Sequence, residues 1–106
     1  MKTPDQVVEI LMNLAPHAEI AHHIPGRVRL KILLSGFALA RKSDLKGLAK
    51  SIPGVLKMRL NIFARSMIID YDQEKLSPQL WEDMSQLRKN PAMTAEVKER
   101  LRALWG

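Results

Sequence analysis

The chain has 106 residues, 46% hydrophobic and 26% charged, the balance of a folded globular protein and enough for one compact domain. Seventeen lysines and arginines against eleven aspartates and glutamates give a formal net charge of +6, which favours anionic partners such as nucleic acid, lipid headgroups, phosphates or a carboxylated cofactor. There is no cysteine, which excludes disulfides, thiolate metal sites, a cysteine nucleophile and iron–sulfur clusters.

Met1-Lys2-Thr3-Pro4-Asp5 puts an acidic residue and a proline where a secretory leader needs an apolar core. The longest apolar stretches, around Ile32 to Leu34 and Met67 to Ile69, fall far short of the roughly 20 residues that cross a bilayer. The expectation is a cytoplasmic chain without a membrane span. Peripheral contact with an anionic surface stays open to a basic domain.

Thr3-Pro4-Asp5-Gln6 combines a capping residue, a proline at the first helical position and a Gln three residues after the cap. Val7, Ile10, Leu11 and Leu14 follow at helical spacing, so a helix is expected over 4–14, ended by Pro16. In 27–32, Val28, Leu30 and Ile32 alternate with Arg27, Arg29 and Lys31, the pattern of a half-buried strand with a basic outer face. Pro25-Gly26 just before it suits a bend or bulge. Leu45, Leu48, Ala49 and Ile52 predict a helix that ends at Pro53-Gly54. Its start is either a cap at Ser43-Asp44 or an earlier turn over 37–41.

Leu56, Met58, Leu60 and Ile62 then alternate with Lys57, Arg59 and Asn61, and Met67, Ile69 and Tyr71 alternate with Ser66, Ile68 and Asp70. The short link through Phe63 and Ala64 makes these two runs an antiparallel hairpin. Ser77-Pro78 opens another helix, with Leu80, Trp81, Met84 and Leu87 as its apolar stripe and an end near Asn90. After Pro91, Thr94 is the expected cap of a last helix carrying Val97, Leu101 and Leu104. Met58, Met67, Met84, Trp81 and Trp105 sit at apolar phases and read as core or helix contacts.

The order strand–helix–strand–strand–helix is most of a ferredoxin-like unit. The expected class is therefore α+β: a single domain over 1–106 with an N-terminal helix at 4–14, a ferredoxin-like core over 18–90 and a C-terminal helix over 92–105. The usual fourth strand is not evident. Either 18–24 lengthens the first strand, or the terminal helices cover what the missing strand would have paired with.

His17, His22 and His23 lie close to Glu19, and imidazole with carboxylate suits iron, manganese, nickel or zinc, while imidazole alone ligates haem iron. Adjacent histidines on a strand point to opposite faces, so His22 and His23 do not grip one ion together. His22 reads either as a hydrogen-bonded residue at the bend or as a ligand. Arg27, Arg29, Lys31, Lys57 and Arg59 would share one sheet face, an anion or partner platform or simply a solvated face, with Asp70 as its expected carboxylate. Ile68 is the apolar residue out of phase there. RNA-binding relatives of this fold stack bases on aromatics of the central strands. Arg27, Arg29, Ser66 and Ile68 occupy those positions, which argues against nucleic acid. No nucleophile triad, phosphate loop or metalloenzyme spacing points to an enzyme.

The run His22-His23-Ile24-Pro25-Gly26-Arg27-Val28-Arg29-Leu30, with Ile52-Pro53-Gly54-Val55 and Ile68-Ile69-Asp70-Tyr71-Asp72 after it, resembles a branch of the heavy-metal-associated domain family. That branch has His-x-x-Pro-Gly-Arg-x-Arg-Leu where better-known members carry Cys-x-x-Cys, and the resemblance covers about residues 20–84. It implies a ferredoxin-like domain, free-standing or attached to metal-transporting P-type ATPases, in transition-metal or iron handling. His22 matches the family histidine. Loss of the two cysteines removes the soft copper(I) and zinc site. The expected role is a non-enzymatic domain that captures a first-row metal or haem, or docks to such an ATPase; the alternative is a protein-interaction domain without metal that meets an acidic partner through the basic face.

Overall fold

The structure, a computed structural model, describes residues 3–36 and 45–106. The two alternative starts of the central helix, at 37–41 and 43–44, lie outside the described residues. Thr3 caps as its sequence context requires: its hydroxyl accepts from the Gln6 backbone N–H at 3.2 Å, and Gln6 Oε1 accepts from the Thr3 N–H at 2.9 Å. This reciprocal cap opens helix α1 (Pro4–Leu14). A tight turn over Ala15–His17 then leads into strand β1 (Ala18–Ile24).

Strands β2 (Arg27–Ile32), β3 (Val55–Asn61) and β4 (Ser66–Tyr71) complete a sheet of order β1-β2-β4-β3, every neighbouring pair antiparallel. The fold is α+β and ferredoxin-like, and β1 holds its fourth strand position. Residues 18–24 neither lengthen the first strand nor leave its edge to the terminal helices. They fold back onto it through Pro25-Gly26, with Gly26 at φ +91°, a backbone conformation that glycine adopts without strain. Pro25-Gly26 is thus a hairpin turn. The bulge falls earlier, at Ala21, where the register shifts between Ile20 and His22.

Helix α2 (Leu45–Lys50), α3 (Pro78–Ser85) and α4 (Thr94–Arg102) follow the strands. Val28, Ile69 and Tyr71 from the sheet are buried with Val7 and Val8 of α1, Leu48 of α2, Leu80 and Trp81 of α3, and Val97 and Leu101 of α4. Each such side chain removed from water contributes about 1.5–3 kcal/mol before chain entropy is counted. The methionines at apolar phases, Met58, Met67 and Met84, pack half-buried against this core.

Three details depart from the periodicity. A second bulge shifts the register between Val55 and Lys57, so Leu56 stands 71% exposed while Met58 and Leu60 keep the inward phase. Ile62 belongs to the β3–β4 turn and is likewise exposed. Helix α3 stops at Ser85, not Asn90, because the next amides reach back three residues, Gln86 to Asp83 and Leu87 to Met84, a tightening that swings Leu87 into the core. Finally, Thr94 does not cap α4. A turn over Pro91–Met93 runs directly into the helix, and the Thr94 hydroxyl donates back to the Pro91 carbonyl at 2.6 Å.

Candidate functional site

The hairpin His22 to Leu30 is where the sequence concentrates its candidate ligands, and the strand period separates them. His22 stands opposite Arg29 and His23 opposite Val28, so His22 lies on the outer face and His23 on the inner one. His22 is exposed and makes no hydrogen bond or ion pair with a described residue. The hydrogen-bonded histidine of the pair is His23. Its Nδ1 lies 2.5 Å from Glu82 Oε2 and its Nε2 2.6 Å from the Tyr71 hydroxyl. With Glu82 ionised, Nδ1–H is the donor, and both ring nitrogens are engaged. The three side chains tie β1, β4 and α3 together beneath the hairpin. Burial pushes the Tyr71 hydroxyl above its ordinary range, the Gly26 backbone opposes this, and the Glu82 charge reinforces it.

The other two candidates are held elsewhere. His17 packs on Gly36, with Nδ1 3.0 Å from the Ser35 hydroxyl. Glu19 faces Lys31 across the hairpin and accepts from Arg88 Nη2 at 2.9 Å. Among the described residues, no three His, Asp or Glu side chains gather into a group that could hold a metal ion. Sequence reasoning missed Tyr71 and Glu82 as partners of His23. The available signal was a histidine at an inward phase, which when buried requires polar neighbours.

The basic residues, in contrast, do converge. Register places His22, Arg29, Ile68 and Arg59 in one row across all four strands, with Arg27, Asp70 and Lys57 in a neighbouring row and Lys31 opposite Ser66 on the other side. Asp70 is spent on Arg27 at 2.6 Å, and Glu19, a second carboxylate on this face, on Arg88. Arg29, Lys31, Lys57 and Arg59 are exposed and have no ion pair among the described residues. Unneutralised cations on one face sum to a positive potential that draws anions. Ile68 sits half-buried between Arg29 and Arg59.

The family heavy metal associated domain 2 matches residues 11–104. The chain belongs to that family. Comparison with curated proteins and with solved structures gives no match. In this heavy metal associated domain the match takes in the last turn of α1, the edge strand β1 and the whole of α4. Membership makes the chain a metal-related binding domain, here one without cysteine. Among the described residues no helix is long and apolar enough to cross a membrane.

Proposed function

We propose that this heavy metal associated domain is a non-enzymatic accessory domain in transition-metal or iron handling whose working surface is the outer face of its sheet. The observation that supports this is the row His22, Arg29, Ile68, Arg59. Strands lie about 4.8 Å apart, so the row runs on the order of 14 Å from an uncommitted imidazole, past a guanidinium and an apolar side chain, to a second guanidinium. Imidazole ligates haem iron or a first-row metal, and guanidinium pairs with carboxylates such as haem propionates. His22 is the proposed ligand and Arg29 and Arg59 the anion contacts. Arg27, Lys31 and Lys57 extend the positive face toward an acidic surface, in particular that of a metal-transporting P-type ATPase.

A second reading rests on a different observation. His17, Glu19 and His23 are each engaged within the fold, which leaves His22 a lone imidazole and favours docking to an acidic partner without metal. An absorbance-monitored haem titration, run beside elemental analysis of the purified protein, separates the two. Cargo capture requires saturable stoichiometric binding that His22→Ala abolishes while circular dichroism stays unchanged. Absence of both haem and first-row metal from the wild type overturns it. The docking reading then requires that Arg29→Glu or Arg59→Glu weakens calorimetric binding to the cytoplasmic domains of such an ATPase and that His22→Ala does not.

A further inference from the structure

The β3–β4 turn carries two successive large apolar side chains turned into solvent, Ile62 at 63% and Phe63 at 101% exposure. The turn itself is tightly built. The Ala64 N–H donates to Asn61 Oδ1 at 3.0 Å, the Arg65 N–H to the Ile62 carbonyl at 3.2 Å, and Arg65 takes a left-handed φ of +50° to close it. Ile32 N–H donates to the Arg65 carbonyl at 2.8 Å, which clips the end of β2 to the turn and brings Leu34, 74% exposed, to the same end of the sheet. Two successive large apolar side chains held out from a tight turn, with a third at the same end of the sheet, mark a contact where a scattered single one would not.

The charges around the tip say what the contact is with. Arg65 lies in the turn, Lys31 stands opposite Ser66 in the last row of the ladder, and Arg59 lies two residues before Asn61 on β3. From Gly54 to Ile69 there is no acidic residue. Glu19, opposite Lys31, is taken by Arg88. A protein partner would need a preformed pocket to receive a phenylalanine that projects fully from a turn. A bilayer interface opens around it, and its anionic headgroups suit the flanking cations.

We propose that the Ile62-Phe63 turn inserts into an anionic membrane surface, with Lys31, Arg59 and Arg65 against the headgroups. This goes beyond the reading above and is independent of His22, which lies on the opposite edge strand. The test is co-sedimentation of the full chain with phosphatidylcholine vesicles, with and without phosphatidylglycerol. Binding is expected only to the mixed vesicles, at least tenfold weaker in the double variant Ile62→Ser, Phe63→Ser, weaker in Lys31→Glu, and unchanged in His22→Ala. A Phe63→Trp variant should be quenched by brominated lipid beyond the wild-type level set by Trp81 and Trp105. The inference is overturned if the wild type ignores the mixed vesicles, or if the double serine variant binds them as well as the wild type. It is equally overturned if sedimentation shows self-association that the serines abolish, since the turn would then join two copies. Haem and metal binding by the serine variant keeps the two readings apart.

Discussion

Gly36 and His17 offer a test of the packing that anchors β1. Gly36 is buried, and a Cβ built on it would stand 2.2 Å from the His17 Cβ and 2.8 Å from its Cγ, where carbon atoms ordinarily meet at about 3.5–4 Å. The nearer atom is a Cβ, which rotamer changes do not move, so Gly36→Ala forces a shift in one backbone or the other. Overpacking of this kind costs about 1–3 kcal/mol. At about 4–8 °C per kcal/mol for a chain of this size, the melting temperature should fall by about 4–24 °C. Removing the opposing Cβ should remove the penalty. His17→Gly alone costs about 1 kcal/mol through chain entropy and the lost Ser35 contact, but in that background Gly36→Ala should be nearly neutral, a coupling of about 1–3 kcal/mol in a double-mutant cycle. His17→Ala keeps the Cβ and should not relieve the clash. Urea and thermal melts of the variants measure all of this. An unchanged wild-type midpoint on Gly36→Ala, or an equal loss in the His17→Gly background, would mean that the His17 Cβ does not limit the space at Gly36.

Asp83 accepts from Arg100 Nη1 at 2.5 Å and from Gln79 Nε2 at 2.9 Å, and chiefly the Arg100 bond holds its carboxyl below the ordinary range against the opposing effect of burial. Its contribution is therefore present above the unfolded carboxylate range and lost as pH falls through the depressed value. Asp83→Asn should cost about 1–2 kcal/mol at neutral pH, a difference that urea melts should show vanishing in strong acid. Tyr71 has the opposite sense. Its hydroxyl is raised mainly by burial, so the fold is stabilised below the ordinary tyrosine value and loses that stability as pH rises through the raised one. Tyr71→Phe should flatten this alkaline loss while costing about 1 kcal/mol at neutral pH through the His23 bond, and a pH series of thermal melts checks both. Arg65 sits at φ +50°, a conformation that costs a non-glycine residue about 1–2 kcal/mol. Arg65→Gly should raise the urea midpoint by an amount worth up to about 1 kcal/mol after glycine's greater unfolded freedom is subtracted, and a lowered midpoint would contradict it.

Much of the fold is legible in local chemistry. The Thr3–Gln6 cap, the Ser77-Pro78 start of α3 and the alternation of β2 and β4 each follow from interactions within a few residues, and the structure has all of them. Most of what escaped depends on contacts between distant segments. The bulge at Ala21 breaks the two-residue period of β1, so its identity as a strand rests on pairing with β2. The bulge at Leu56 likewise displaces that side chain from a run that reads as regular. Thr94 has the chemistry of a cap, but the preceding turn leaves it already helical. The outer-face cations were legible because alternation survives in β2 and in β3 after its bulge. The partners of His23 were not, because Tyr71 and Glu82 lie 48 and 59 residues away along the chain.

The edge position of β1 has consequences at both ends of the chain. Because the N-terminal hairpin supplies the fourth strand, the segment after α3 need not return to the sheet. It continues as α4, which ion pairs fasten to its neighbours: Arg100 to Asp83 of α3, Arg102 to Asp5 and Lys98 to Glu9 of α1. Val8, Leu48, Trp81 and Leu101 of the helices pack on the inner side with Val28 and Ile69, whereas Arg29, Lys57 and Arg59 on the outer face are exposed. Both edge strands, β1 and β3, carry a bulge, and β3 adds Lys57 and Arg59, features that discourage another strand from adding to an edge. Addition of a further strand is therefore disfavoured at either edge, and the proposed contacts lie instead on the outer face of the sheet and at the Ile62-Phe63 turn.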